Sequence, residues 1–398
     1  MSYINKESTS YIPTLLFLFA AIAWRTEYYR FSLYVAIPLD IIYCFWNYRK
    51  SIFSSKYWKW YLLMIIWMYI STAFSDTANE GFRRMIPITA TFLLSFTGYS
   101  IVKNNKQYWL LHITYIILIL FLIYLNLKSS SFSVEFDYAN EYERNTSMRQ
   151  NANDYAYFTL FATISLILFF QYLGDRIKNL YKLLAYIAFA GLSFYVALFT
   201  ASRQVLALQV PLLLFSIYYD FMWGNKPNLI YVFLIFIAAI IALPYIDSIY
   251  SNSYLSVRAQ VSYENDVRSE LLVKAFKQGV ENPLLGLGLG GKYGFSHCTY
   301  THLFSRCGFF AVFCFIMIIF NSLTDQIKYY RATNNRIFIL FLVLLLTIAV
   351  GNFTFTYTEE PFMTTILFII IANSERIYNN LIRRSPDLTY SLRAKRFR

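Results

Sequence analysis

Apolar runs recur along almost the whole chain, separated by short polar connections. Each is close to the roughly 20 helical residues that cross a hydrocarbon core of about 30 Å. Inside that core the backbone has no water to bond, so helices that satisfy their own N–H and C=O groups are the expected spanning form. A barrel's polar/apolar alternation is absent from the sequence. The pattern predicts about twelve spans, near 11–24, 31–47, 57–74, 85–102, 108–127, 155–173, 183–199, 205–221, 229–245, 303–320, 337–350 and 362–374. The first two are short and also fit one re-entrant unit. Ala21-Ile22-Ala23 resembles a signal-peptide cleavage site, but Lys6 and Glu7 leave the preceding segment without net positive charge, so 11–24 is read as the first helix.

This pattern divides the chain into four parts: helices 1–9 over 1–245, a long polar segment over 246–302, helices 10–12 over 303–374, and a basic tail over 375–398. Composition agrees with a membrane protein. The 398 residues are 58% hydrophobic and only 14% charged, against about a quarter charged in ordinary soluble domains. The aromatic residues include 36 Tyr and 38 Phe, and many Tyr and Trp flank the apolar runs, as in Lys56-Tyr57-Trp58-Lys59-Trp60-Tyr61, the expected interfacial belt. The net charge of +13 resides in loops and tail, so no nucleic-acid partner is expected. Cys44, Cys298, Cys307 and Cys314 form no pair motif and read as small core residues rather than a disulfide framework.

Lys and Arg set the expected orientation. The even-numbered connections and both termini hold most of them, including Arg49, Lys50, Lys56, Lys59, Lys103, Lys106, Arg176, Lys178, Lys182, Lys328, Arg331 and Arg336, with more in the tail from Arg376. Both termini are therefore expected in the cytoplasm, with segment 246–302 outside and the tail against the anionic inner leaflet. The basic residues expected outside are mostly Arg, among them Arg25, Arg30, Arg83, Arg84, Arg144, Arg149 and Arg203. Snorkelling at helix ends explains part of this. Bidentate binding of a phosphate or carboxylate group explains it equally well.

The candidate chemistry concentrates in the long outer segment. Residues 268–279 read as an amphipathic helix with Leu271, Leu272, Ala275 and Phe276 on one face, Asn265 or Asp266 as cap and Gly279 as stop. Arg268 falls in its first turn, where the helix dipole disfavours a cation. Asn282-Pro283-Leu284-Leu285-Gly286-Leu287-Gly288-Leu289-Gly290-Gly291 follows, a chain free to turn sharply but lacking the ending of a P-loop. Next comes Ser296-His297-Cys298-Thr299-Tyr300-Thr301-His302, leading to Arg306, Cys307 and Gly308. His297, Cys298, His302 and Cys307 match no common zinc spacing, so no metal is expected. A histidine at the membrane surface suits a general base or a plain interfacial hydrogen bond. Two short polar segments complete the set: Thr200-Ala201-Ser202-Arg203, and Arg149-Gln150-Asn151-Ala152-Asn153-Asp154, where Asn153 or Asp154 is the natural cap of the sixth span. Glu359 and Glu360 are the acids of the last outer loop. Asp40 lies in the second span after Pro38, where an acid is a functional candidate by default.

In their order and spacing, the segments from Asn151 to Gly308 resemble the O-antigen ligase and O-antigen polymerase superfamily. They comprise the Asn-containing helix entry at 151–154, Thr-x-Ser-Arg at 200–203, the Arg-led helix at 268–279, Asn-Pro-Leu-Leu-Gly-Leu-Gly at 282–288, and His297 followed by Thr299-Tyr300 and Gly308. Cys298 departs from the family, which often has Asn after the histidine, and His302 leaves two candidates for the base. The resemblance implies an all-α, GT-C-like polytopic protein of the bacterial inner membrane with its active site on the extracytoplasmic face. It implies transfer of a glycan from undecaprenyl diphosphate to an acceptor sugar hydroxyl, with no metal, nucleotide or other cofactor. His297 would be catalytic, and Arg203 and Arg268 would bind the diphosphate. Arg258, Asn153, Tyr300, His302 and Glu359 would support them. The implied partners are the carrier-linked glycan, an acceptor glycan or lipid A-core, membrane lipids and a chain-length regulator. Polymerisation of surface-polysaccharide repeats and ligation of finished chains to lipid A-core both fit; a transporter of polysaccharide or lipid-linked glycan is the rival of another class.

Overall fold

The computed structural model describes residues 8–24, 26, 28–52, 55–128, 133–137, 142–146, 152–200, 202–223, 267–290, 296–354 and 361–384, with isolated positions between 230 and 251. These residues are overwhelmingly helical. The helices are α1 Ile12–Trp24, α2 Tyr29–Phe31, α3 Ile37–Ile52, α4 Lys56–Ala73, α5 Ala78–Asn104, α6 Trp109–Lys128, α7 Ala152–Leu173, α8 Asn179–Thr200, α9 Arg203–Ile217, α10 Val267–Glu281, α11 Thr299–Thr333, α12 Ile337–Gly351 and α13 Pro361–Arg384. A π-helical stretch Ser32–Ala36 joins α2 to α3, and a second, Tyr218–Met222, extends α9. A short antiparallel hairpin, Ser133–Asp137 with Tyr142–Thr146, is the exception to the all-helical expectation.

Among the described residues, five helices are long and apolar enough to cross a membrane: Ala78–Asn104, Tyr155–Arg176, Asn179–Leu198, Arg203–Met222 and Thr299–Thr333. Shorter apolar helices cover Ile12–Trp24, Trp109–Leu125 and Ile337–Gly351. The protein is thus an α-helical membrane protein. Each expected span except 229–245, which falls largely outside the described residues, coincides with a helix. Several helices run past the apolar run that signals them. α5 begins at Ala78 rather than near 85, because Glu80 and Arg84 pair across one turn (3.3 Å) and continue the helix into polar surroundings.

The contacts divide the chain into two units, one of Met1–Ala20, Phe31–Tyr108 and Arg268–Arg398, the other of Ala21–Arg30 and Trp109–Val267. In the first, α5 packs along α13 and α4 along α11. Phe368 of α13 stacks on both Trp58 (4.7 Å) and Tyr61 (4.9 Å) of α4. Gly98 of α5 lets α13 approach closely, since a Cβ there would meet Thr365 and Ile369 at 3.2–3.4 Å.

The two ends of this unit differ chemically. At one end Lys56 pairs with Asp325 (2.7 Å), which also accepts from the Tyr57 hydroxyl. Lys103 pairs with Glu375 (2.6 Å), which accepts from Tyr99 (2.7 Å). Arg376 donates to the carbonyls of Val102 (2.7 Å) and Asn105 (3.0 Å) and lies over the Tyr108 ring. At the other end are the last turn of α4, the glycine-rich segment and the start of α11.

In the second unit, α7 packs against α6, α8 and α9. Gln209 of α9, 1% exposed, donates to Thr163 (2.6 Å) and to Ser193, and accepts from Thr159 (3.2 Å), a buried polar knot joining three helices. Lys182, Tyr186 and Asp220 form another, with Tyr186 donating to Asp220 at 2.6 Å.

Candidate functional site

The chemistry-bearing segments of the first unit meet where α11 breaks. Gly308 has φ 75° and ψ −177°, so the helical hydrogen-bond pattern is interrupted between Ser305 and Phe309. Inside a membrane the freed groups need other partners, and the glycine-rich segment supplies them. Leu287 N donates to Ser305 O (2.9 Å), Gly288 N to Arg306 O (2.8 Å), and Phe309 N to Pro283 O (2.8 Å). The end of α4 completes the account. Trp67 Nε1 donates to Cys307 O (2.9 Å), and the Ser71 hydroxyl bonds both Arg306 O (3.1 Å) and Leu285 O.

Two glycines make this contact possible. A Cβ on Gly308 would lie 1.9 Å from Leu284 O, and one on Gly286 would lie 2.5 Å from the Arg306 carbonyl carbon. Both also have positive φ, 75° and 68°, which side-chain-bearing residues rarely adopt. The Asn-Pro-Leu-Leu-Gly-Leu-Gly run is therefore a strap locked by its backbone into a broken helix.

Arg306 closes the strap. Its side chain is 1% exposed, and its Nη1 donates to the carbonyls of Gly288 (3.4 Å), Leu289 (3.2 Å) and Gly290. The charge is thus met by three converging peptide dipoles. By sequence alone Arg306 falls inside the expected 303–320 span without a role of its own. The available signal was its position: a cation inside an apolar run is a functional candidate by default.

The entry to α11 carries the two histidines, and they stand in different surroundings. Ser296 Oγ accepts from Cys298 N (3.2 Å) and bonds the Thr301 hydroxyl (2.8 Å), which ties the approach to α11 to its first turn. Thr299 N donates to Asn352 O (2.8 Å) and fixes that start to the end of α12. His297 lies between Ser296 and Cys298 and is half-buried, whereas His302 is in the first turns of α11 and 1% exposed. Tyr300 is held as a packing residue: its hydroxyl donates to Ala349 O (3.1 Å) and its ring lies 4.5 Å from that of Phe353. All four cysteines are buried.

α10 runs through Gly279 to Glu281, not stopping at the glycine, because Gly279 lets α10 seat against Phe304; a Cβ there would be 2.4 Å from the ring. Arg268 is the second residue of α10, and its side chain is outside the described set. In the second unit, Arg203 is the half-buried first residue of α9, after a tight turn in which Ser202 N donates to Ala197 O (3.1 Å). α7 begins at Ala152, so Asn153 and Asp154 fall inside its first turn rather than before it, with side chains outside the described set. Arg258 and Glu359 lie outside the described residues. His297, His302, Tyr300 and the backbone of Arg268 thus belong to one unit, and Arg203 and Asn153 to the other.

Comparison with protein-family models and with curated proteins gives no match.

Proposed function

We propose that this protein is a membrane glycosyltransferase that moves a glycan from undecaprenyl diphosphate to an acceptor sugar hydroxyl, polymerising surface-polysaccharide repeats. One observation carries the reading. The segments that resemble the O-antigen polymerase and ligase superfamily, Asn282 to Gly288 and His297 to Gly308, form a single interlocked element, with Phe309 N bonded to Pro283 O and Gly288 N to Arg306 O.

The chemistry follows from the residue types. The glycosyl–diphosphate bond is already activated, so the enzyme needs a base for the acceptor hydroxyl and cations for the leaving diphosphate. His297 takes the proton; it is the more accessible of the two histidines, while His302 sits inside the helix. Arg203 and Arg268 hold the diphosphate, for which the guanidinium fork is suited. Arg306 acts at one remove by holding the strap. In this reading the site faces the extracytoplasmic side and both termini the cytoplasm.

Ligation of finished chains to lipid A-core uses the same donor and the same chemistry. A transporter of lipid-linked glycan is favoured by one observation: Asp40 is fully buried in the first turn of α3, next to the π-helical stretch Ser32–Ala36, and an intramembrane acid is common in transporters. Deletion of the gene, with return of wild-type or His297→Ala protein, separates the three. Single repeats on the acceptor indicate a polymerase, long chains retained on the carrier a ligase, and repeats trapped on the inner leaflet a transporter. Normal polysaccharide in the Arg203→Ala, Arg268→Ala and His297→Ala strains would overturn the site assignment.

A further inference from the structure

α10 has three faces rather than two. Its residues advance about 100° each around the axis. Ala275 and Gly279 are buried, Gly279 against Phe304 of α11, and mark the face by which the helix packs on its own unit. Glu270, Lys274, Lys277 and Glu281 form an exposed charged arc. Between these two arcs runs an apolar stripe, Leu272, Val273, Phe276 and Val280, exposed by 40%, 50%, 52% and 57%. A helix that only covered its own bundle would turn its large apolar residues inward. This one packs through a small residue and a glycine, with Leu271 half-buried beside them, and leaves four large ones outside.

The stripe continues onto α11. Phe276 contacts Phe304 (ring centroids 5.8 Å apart). Below Phe304, α11 exposes Phe309, Phe313, Ile316 and Phe320 at successive turns. α11 is one of the helices long and apolar enough to cross a membrane, and this row is the face that such a helix turns to lipid. The apolar stripe of α10 thus meets, at Phe304, the helix that carries this lipid-facing row.

We propose that α10 is an interfacial helix, seated in the same bilayer that α11 spans, with Leu272, Val273, Phe276 and Val280 among the lipid acyl chains and the charged arc toward headgroups and water. Lys274 and Lys277 sit where cationic side chains meet lipid phosphates. The strap from Asn282 to Gly290 follows directly from the end of this helix, so the helix fixes that strap at the membrane surface. The inference is independent of the catalytic reading and holds for a transferase or a transporter.

Single cysteines at Val273, Phe276 and Val280, and at Lys274 and Glu281 on the charged arc, each labelled with bimane in full-length protein reconstituted in vesicles, test it. The native cysteines are buried, and unsubstituted protein gives their background. Spin-labelled acyl chains are expected to quench the label several-fold more at 273, 276 and 280 than at 274 and 281, with aqueous iodide showing the reverse order. Iodide quenching at 273, 276 and 280 equal to that at 274 and 281 would overturn the proposal. So would protection of the apolar positions from both quenchers, which would mean that a second copy or another protein covers the stripe.

Discussion

Replacing Gly308 by alanine is the sharpest test of the broken helix. The backbone there lies in a region nearly reserved for glycine, and forcing another residue into it costs about 1–3 kcal/mol. The new Cβ would also stand 1.9 Å from Leu284 O and 2.4 Å from Leu284 C. These are backbone atoms and cannot rotate away, so the strap must withdraw from α11. Withdrawal stretches the bonds from Phe309 N to Pro283 O, from Leu287 N to Ser305 O and from Gly288 N to Arg306 O. Each is worth about 0.5–1.5 kcal/mol net, and losing two of them brings the expected destabilisation to about 2–6 kcal/mol. Gly191→Ala in α8 is the control: nothing lies within 4 Å of its Cβ, and removing a mid-helix glycine is expected to be neutral or to stabilise by about 0.5–1 kcal/mol. Both are read from the midpoint of unfolding as SDS is titrated into mixed micelles of purified protein. A loss below about 1 kcal/mol for Gly308→Ala, no different from the control, would refute the locked strap.

Arg306→Met leaves the carbonyls of Gly288, Leu289 and Gly290 without their charged donor and is expected to cost about 3 kcal/mol in the same titration, with the strap amides exchanging faster in deuterated buffer. Lys56→Ala and Glu375→Ala should differ. Lys56 is 44% exposed, and after its removal the buried Asp325 keeps the Tyr57 hydroxyl and Lys328 at 4.0 Å, so the expected cost is at most about 1 kcal/mol. Glu375 and Lys103 are only 13% and 17% exposed, so Glu375→Ala strands a nearly buried cation and is expected to cost about 3 kcal/mol. Gln209→Leu removes the polar knot with Thr159, Thr163 and Ser193, and about 1–2 kcal/mol is expected, since hydrogen bonds between membrane helices are individually modest. Equal midpoints for the Lys56 and Glu375 variants, or an unchanged one for Gln209→Leu, would contradict these assignments.

The helices were legible in the sequence because burial in lipid imposes long apolar runs, and every described span matches one. Their ends were not. α11 runs from Thr299 to Thr333, well past the expected 303–320, because Ser322, Asp325 and Gln326 are buried by partners far along the chain: Lys56 and Tyr57 for Asp325, Ser374 for Gln326. Such pairings carry no local signature. The same limit hid the strap. The glycines and Gly308 are visible as flexible positions, but nothing local says that the glycine-rich segment replaces the hydrogen bonds missing at the break. Arg306 is visible in the sequence as a cation inside an apolar run, but its role is not, since its acceptors lie 16–18 residues earlier. On α10, the shared face expected for Leu271, Leu272, Ala275 and Phe276 is divided: Ala275 is buried, and Leu272 and Phe276 are exposed. Periodicity finds apolar residues on a helix but does not tell a bundle from a bilayer as the solvent for them.

The most direct test of the proposed transferase is a reaction with purified components. The full-length protein in lipid nanodiscs is given an undecaprenyl-diphosphate-linked glycan from its own host and an acceptor glycan, with no added metal or nucleotide. Wild-type protein is expected to release undecaprenyl diphosphate in step with lengthening of the acceptor. His297→Ala, with an unchanged SDS unfolding midpoint, is expected to do neither. Absence of transfer by wild-type protein with its native donor, or transfer by His297→Ala at the wild-type rate, would contradict the account.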